Sequence, residues 1–81
     1  MRKPMKRSAM IIRRAWEEAG YQDGKRFCAA LGMKYPNFSQ HMVNPGTFSA
    51  KQLAAIVGET GMGNEDLGKL FREIQKEAGE T

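Results

Sequence analysis

The sequence predicts an all-α fold, a compact bundle of about five short helices, and three observations lead there. Apolar residues recur at three- and four-residue spacing in every segment between the glycines, and no segment keeps the alternation of a strand. The connections between those segments are short and carry glycine or proline. Finally, 81 residues of which 41% are hydrophobic and 27% charged suit one modest core and no enclosed two-domain cleft.

The first helix is expected over roughly residues 6–19. Met5, Ala9, Ile12, Trp16 and Ala19 make one apolar stripe, and Lys6, Arg7, Arg13, Arg14, Glu17 and Glu18 fall off it. Gly20 follows as a left-handed stop. The second helix covers Gly24–Leu31, with Asp23 as its cap and Gly32 at its end. Phe27, Cys28 and Leu31 point one way on it, Lys25 and Arg26 the other. The third helix is short. Proline disfavours helical backbone in the residue before it, so Tyr35 is expected to be extended and Pro36 to be the first helical residue. Phe38 and Met42 share its inward face, which leaves Asn37, Gln40 and Asn44 outside until Asn44-Pro45-Gly46 breaks the helix.

The fourth helix begins at Ser49, where Ser49 and Gln52 have the spacing of a capping box. Leu53, Ile56 and Val57 form its stripe, Phe48 packs back on it, and Gly61 with Met62 behind it marks the stop. The fifth spans about residues 64–79. Asn64 offers a cap, and Glu65 and Asp66 occupy the first turn, where the helix dipole favours anions. Leu67, Leu70, Phe71 and Ile74 form a tight apolar stripe, and Lys69 stands four residues from both Glu65 and Glu73 on the outer face. That stripe has two readings: it closes the core of one chain, or it builds a two-fold dimer interface.

Charge is unevenly distributed. Residues 1–51 hold ten Lys/Arg and three Asp/Glu, a net +7, whereas residues 52–81 hold three and six, a net −3, which together give the overall +4. A basic two-thirds points to an anionic partner. Other classes are disfavoured. One cysteine excludes an internal disulfide and a thiolate-rich zinc site, and Cys28 on an inward face reads as a core thiol. One histidine cannot supply a catalytic or metal cluster, and Gly58, Gly61 and Gly63 do not follow a strand as a phosphate-cradling loop requires, so no enzyme, cofactor or metal is expected. No apolar run approaches the ~20 residues of a spanning helix, and Ser8–Ile12 is too short for a signal-peptide core, so a cytoplasmic location is expected.

Two short helices joined by a tight Gly-containing turn, as expected over residues 24–43, have the layout of a helix-turn-helix. The run Lys25-Arg-Phe-Cys-Ala-Ala-Leu-Gly-Met-Lys-Tyr-Pro-Asn-Phe-Ser-Gln-His-Met42 resembles the lambda-repressor and Cro family. The resemblance lies in Cys28 before Leu31-Gly32-Met33, in the Phe38-Ser39 pair, and in a capped helix from Phe48-Ser49 to Gly61-Met62. It covers about residues 23–62, and small phage or prophage regulators are the nearest kind. There are three departures from the family pattern: Gly24 stands where relatives often carry a phosphate-anchoring glutamine, Lys34 and Tyr35 are poor caps, and His41 occupies a commonly apolar place that Met42 would fill.

The resemblance implies one DNA-binding domain over residues 1–81 that inserts its third helix into the major groove of an operator. Lys34, Tyr35, Asn37 and Gln40 would then read bases, the amides suiting adenine and the lysine guanine. Lys25, Arg26, Ser39, His41, Asn44, Thr47, Ser49 and Lys51 would contact phosphates. Arg2, Lys3, Lys6 and Arg7 would form a basic arm over residues 1–7, and Leu67, Leu70, Phe71 and Ile74 a homodimer contact. A transcriptional regulator, repressor or activator, is the preferred reading, with no small-molecule substrate and no membrane partner. The alternatives are an antitoxin that binds both its operator and a toxin, and a protein–protein adaptor whose basic face is merely solvated.

Overall fold

The computed structural model describes residues 5–79, and within them the chain folds into five α-helices and one 3-10 turn, with no strand. The helices are α1 (Arg7–Glu18), α2 (Gly24–Leu31), α3 (Tyr35–Val43), α4 (Ala50–Thr60) and α5 (Asn64–Ala78), and the 3-10 turn is Pro45–Thr47. The all-α expectation holds. No helix among the described residues is long and apolar enough to cross a membrane.

The bundle closes in an order set by a few side chains. On α1 the stripe Ala9, Ile12 and Trp16 is buried, whereas Met5 lies before the helix at 41% exposure and Ala19 is its exposed C-cap. Those core residues lie against α5, α4 and α2. Gly20 and Gly32 end α1 and α2 in the left-handed region, with φ of 99° and 74°. Each is followed by the paired bonds of a Schellman stop: Gly20 N–H to the Glu17 carbonyl and Tyr21 N–H to Trp16 in one case, Gly32 to Ala29 and Met33 to Cys28 in the other. A side chain at either position would meet the steric penalty of positive φ.

Aromatic rings fill the centre. Trp16 meets Phe27 at 5.2 Å and Phe38 at 5.8 Å between centroids, Phe27 meets Phe38 at 6.0 Å, and Phe38 meets Phe48 at 6.1 Å. Ile12, Ile56 and Leu70 are fully buried beside these rings, as is the Cys28 thiol, which donates to the Met33 carbonyl at 2.8 Å. Burial pushes that thiol above its ordinary pKa.

Several local expectations need correction. Tyr35 is helical, not extended: Lys34 is the N-cap, and its carbonyl accepts from Phe38 N–H at 3.0 Å. Pro36 therefore takes the second helical position, where a missing N–H is still one of the unpaired donors of a first turn. Gly63, not Asn64, caps α5, without a side-chain bond. Lys69 forms no ion pair among the described residues; Glu73 pairs instead with Lys76 at 3.7 Å. Leu70 is wholly inside the monomer, so it closes the core and leaves Leu67, Phe71 and Ile74 of its stripe nearer the surface.

One buried polar residue had no signature in the periodicity. Ser8 is fully buried, and its N–H and Oγ both donate to the Glu77 carboxylate, at 3.1 and 2.5 Å. No acidic residue lies in the first turn of α1, and Lys6 makes no side-chain cap. Glu77 supplies both the acceptor and the negative charge from the far end of the chain. Ser8→Ala should accordingly lower stability by about 1.5–3 kcal/mol, the worth of a hydrogen bond to a charged group, read as a lower urea midpoint at unchanged slope.

A second long-range bond runs from the Tyr21 hydroxyl to Glu59 at 2.8 Å, and this bond holds the phenol above its usual pKa. The folded state thus keeps the proton more tightly than the unfolded chain. The stabilisation is complete below the ordinary tyrosine range near ~10 and is lost as pH rises through the higher folded value. Alkaline unfolding curves should show this loss in the wild type and not in Tyr21→Phe.

Candidate nucleic-acid interface

The residues expected to read DNA sit on α3 and on the turn before it. With Phe38 fixed in the core, Asn37 and Gln40 must face outward, and both are exposed with no side-chain hydrogen-bond partner among the described residues. Together with Gly32, Met33, Lys34, His41 and Gln52 they line a shallow concavity of about 360 Å³. The structure thus brings Lys34, Asn37, Gln40 and His41 together. Other candidates lie on α2, on the far flank of α3 and on α4, while Lys6 and Arg7 lie at the start of α1, which is tied to the end of α5.

Lys25 and Arg26 open α2 on its outer side. The Lys25 ammonium lies 5.5 Å from the centroid of the Tyr35 ring, which ties the start of α2 to the start of α3 and draws Tyr35 towards the rim. The Arg26 N–H is capped by Asp23 at 2.8 Å, and its guanidinium contacts Gln22. Ser39, two residues beyond Asn37, falls about 200° around the helix from it and is exposed on the other flank. Lys51 stands exposed in the first turn of α4. Lys6 and Arg7 are exposed at the start of α1, and Arg2 and Lys3 lie outside the described residues.

Four candidate phosphate contacts already have internal work. His41 is half-buried and stacks on Phe48, with centroids 4.9 Å apart and rings 27° from parallel. Its Nδ1 meets the Thr47 hydroxyl at 2.7 Å, and that hydroxyl donates to the Asn44 carbonyl, also at 2.7 Å. Thr47 has one proton and spends it on Asn44, so His41 is the donor and carries its proton on Nδ1. Asn44 is the exposed C-cap of α3 and takes part through its backbone. Ser49 completes the capping box: its Oγ accepts from Gln52 N–H at 3.1 Å while its own N–H donates to Gln52 Oε1 at 2.8 Å. These residues hold the α3–α4 connection in place. Only unspent lone pairs and protons remain for a ligand.

Two features escaped the sequence reading. Gln52 joins the concavity from α4, because the capping box turns its side chain back towards α3. The charge boundary is also sharper than a division at residue 51. Positions 24–58 contain no Asp or Glu at all, while Lys25, Arg26, Lys34 and Lys51 lie within them. None of these four cations forms an ion pair among the described residues. The residues from α2 to most of α4 are therefore net positive, with Asp23 at the N-cap of α2 as the adjoining acid, and that signal was legible as an acid-free run.

On the other side of α4 an apolar groove of about 580 Å³ runs between α4, α5 and the 3-10 turn. Leu53, Val57, Leu67 and Ile74 line it, and Phe71, 50% exposed, stands at its edge.

Ser49→Ala separates the two roles assigned to that serine. Loss of the capping box should cost about 1 kcal/mol of stability in the absence of any ligand, measurable by denaturant unfolding. No family model matches this chain, and no curated protein or solved structure matches it.

Proposed function

We propose that this protein is a sequence-specific double-stranded DNA-binding protein, a transcriptional regulator of phage or prophage type that lays α3 in the major groove. The observation that carries the reading is the outer face of α3. Asn37 and Gln40 stand exposed there without a hydrogen bond among the described residues, within an acid-free stretch of sequence, residues 24–58, that carries Lys25, Arg26, Lys34 and Lys51. Amide side chains of that kind bridge adenine edges, and the surrounding cations suit phosphates. Gly32, Met33 and Lys34 form the three-residue connection between α2 and α3, which has the length of a helix-turn-helix turn. The resemblance of residues 23–62 to the lambda-repressor and Cro family supports the same reading.

The reading extends to a homodimer. The groove edged by Phe71 gives a second copy an apolar surface, and paired half-sites about 10 bp apart would match a two-fold dimer. A toxin in that groove is the competing occupant, and co-purification of a second protein would favour it.

Electrophoretic or fluorescence titration should find tight binding to a short near-palindrome that weakens steeply with salt. Asn37→Ala and Gln40→Ala should each erode the preference for that site over random duplex by about 5- to 150-fold, with much less effect on random-duplex affinity. Equal affinity for selected and random duplexes across several salt concentrations would exclude a sequence-specific reader.

A further inference from the structure

The helix assigned to the groove also limits which bases it can read. Its outward side chains are Pro36, Asn37, Gln40 and Val43, with Ser39 on the far flank, and none of them is charged. His41, the lone ionisable group on that helix apart from the Tyr35 phenol, lines the concavity beside Asn37 and Gln40, but its Nδ1 is engaged by Thr47 and its ring is stacked on Phe48. Lys34 lines the concavity from the N-cap, ahead of the helix, so no cation lies in the middle of α3. Val43 is the anomaly. It is 71% exposed, the highest value among the large apolar side chains that lie on the surface, and it belongs to neither the aromatic core nor the α4–α5 groove.

Resting on the DNA-binding reading above, we infer that α3 is specific for adjacent A·T pairs, with Gln40 bridging an adenine and Val43 packing on a thymine C5-methyl. The major-groove edge of guanine offers two acceptors and is best met by a cationic fork or ammonium, which the middle of α3 lacks. Adenine offers one donor and one acceptor, the pattern an amide completes, and thymine alone among the bases offers a methyl group. The spacing fits neighbouring pairs. Gln40 and Val43 are three residues apart, about 4.5 Å along the helix axis, against about 3.4 Å per base step. Asn37, one turn earlier on the same side, extends the preference for adenine. Val43 is thereby a specificity-determining residue that contributes through a methyl contact and not through a hydrogen bond.

The test begins with selection of binding sites from random duplex DNA by the full chain. Recovered sites should carry A·T pairs at the positions protected by α3. Deoxyuridine in place of thymidine, one position at a time, should weaken wild-type binding about fourfold at one position, the worth of one buried methyl group. Val43→Ala should bind the thymidine duplex about fourfold more weakly and show no further loss on deoxyuridine. Val43 is exposed, so the variant keeps the fold, and thermal unfolding confirms it. A recovered site with G·C pairs under α3, or a deoxyuridine penalty that is the same with and without Val43, overturns this inference while leaving sequence-specific binding intact. Recovery of no site removes both.

Discussion

Phe38 is the side chain on which the rest of the molecule turns. It comes from a nine-residue helix, a length too short to be stable alone in water. Its ring meets Trp16 of α1, Phe27 of α2 and Phe48 ahead of α4, so three separate elements converge on one residue of α3. Such pairs add about 0.5–1.5 kcal/mol each beyond the area they bury. More importantly, they fix the rotation of α3 about its axis. Once Phe38 points inward, the helical period dictates that Asn37, Gln40 and Val43 point out. The polar face is a geometric consequence of the aromatic one.

The acidic side chains have been kept away from that face, and most have structural tasks elsewhere. Glu17 pairs with Arg13, Asp23 caps α2, Glu59 accepts from Tyr21, Glu73 pairs with Lys76, and Glu77 caps α1 through Ser8. All five lie outside residues 24–58. The carboxylates that hold helices together are thus spent on α1, at the N-cap of α2 and on the outer parts of α4 and α5, and the cations around α3 form no ion pair among the described residues. Structure and surface potential are divided along the same line.

That division explains which parts of the fold the sequence disclosed. Helix stops at Gly20, Gly32 and Gly61 and caps at Asp23 and Ser49 are local signals, carried by residues within five positions of one another, and each is found where its spacing places it. The start of α3 was misjudged because the pre-proline restriction is a bias, and tertiary packing of Phe38 outweighed it at Tyr35. Ser8 was invisible for a different reason: its partner Glu77 is 69 residues away, and no periodicity encodes such a pair. At the candidate interface the amides Asn37 and Gln40 were legible from their position relative to Phe38. The internal engagement of His41, Thr47 and Ser49 was not, because it depends on how the 3-10 turn brings α3 against the start of α4.

If α3 reads DNA as proposed, its uncharged outer face has an energetic consequence. Amide and methyl contacts discriminate between bases but add little non-specific attraction, so affinity must come from the cations around them. Lys25, Arg26, Lys34 and Lys51 provide four such charges per chain. At about −0.9 per phosphate contact, four contacts give a salt slope near −3.6, well short of the six to ten contacts of tight binders. Two copies give about eight. Under the proposed DNA-binding reading, the four cations around α3 would give one chain a shallow salt dependence, to which the exposed Lys6 and Arg7 at the start of α1 would add. The exposed groove edged by Phe71, on the opposite side of α4 from the α3 concavity, then has a physical rationale: pairing through it would double the phosphate contacts without covering either reading helix.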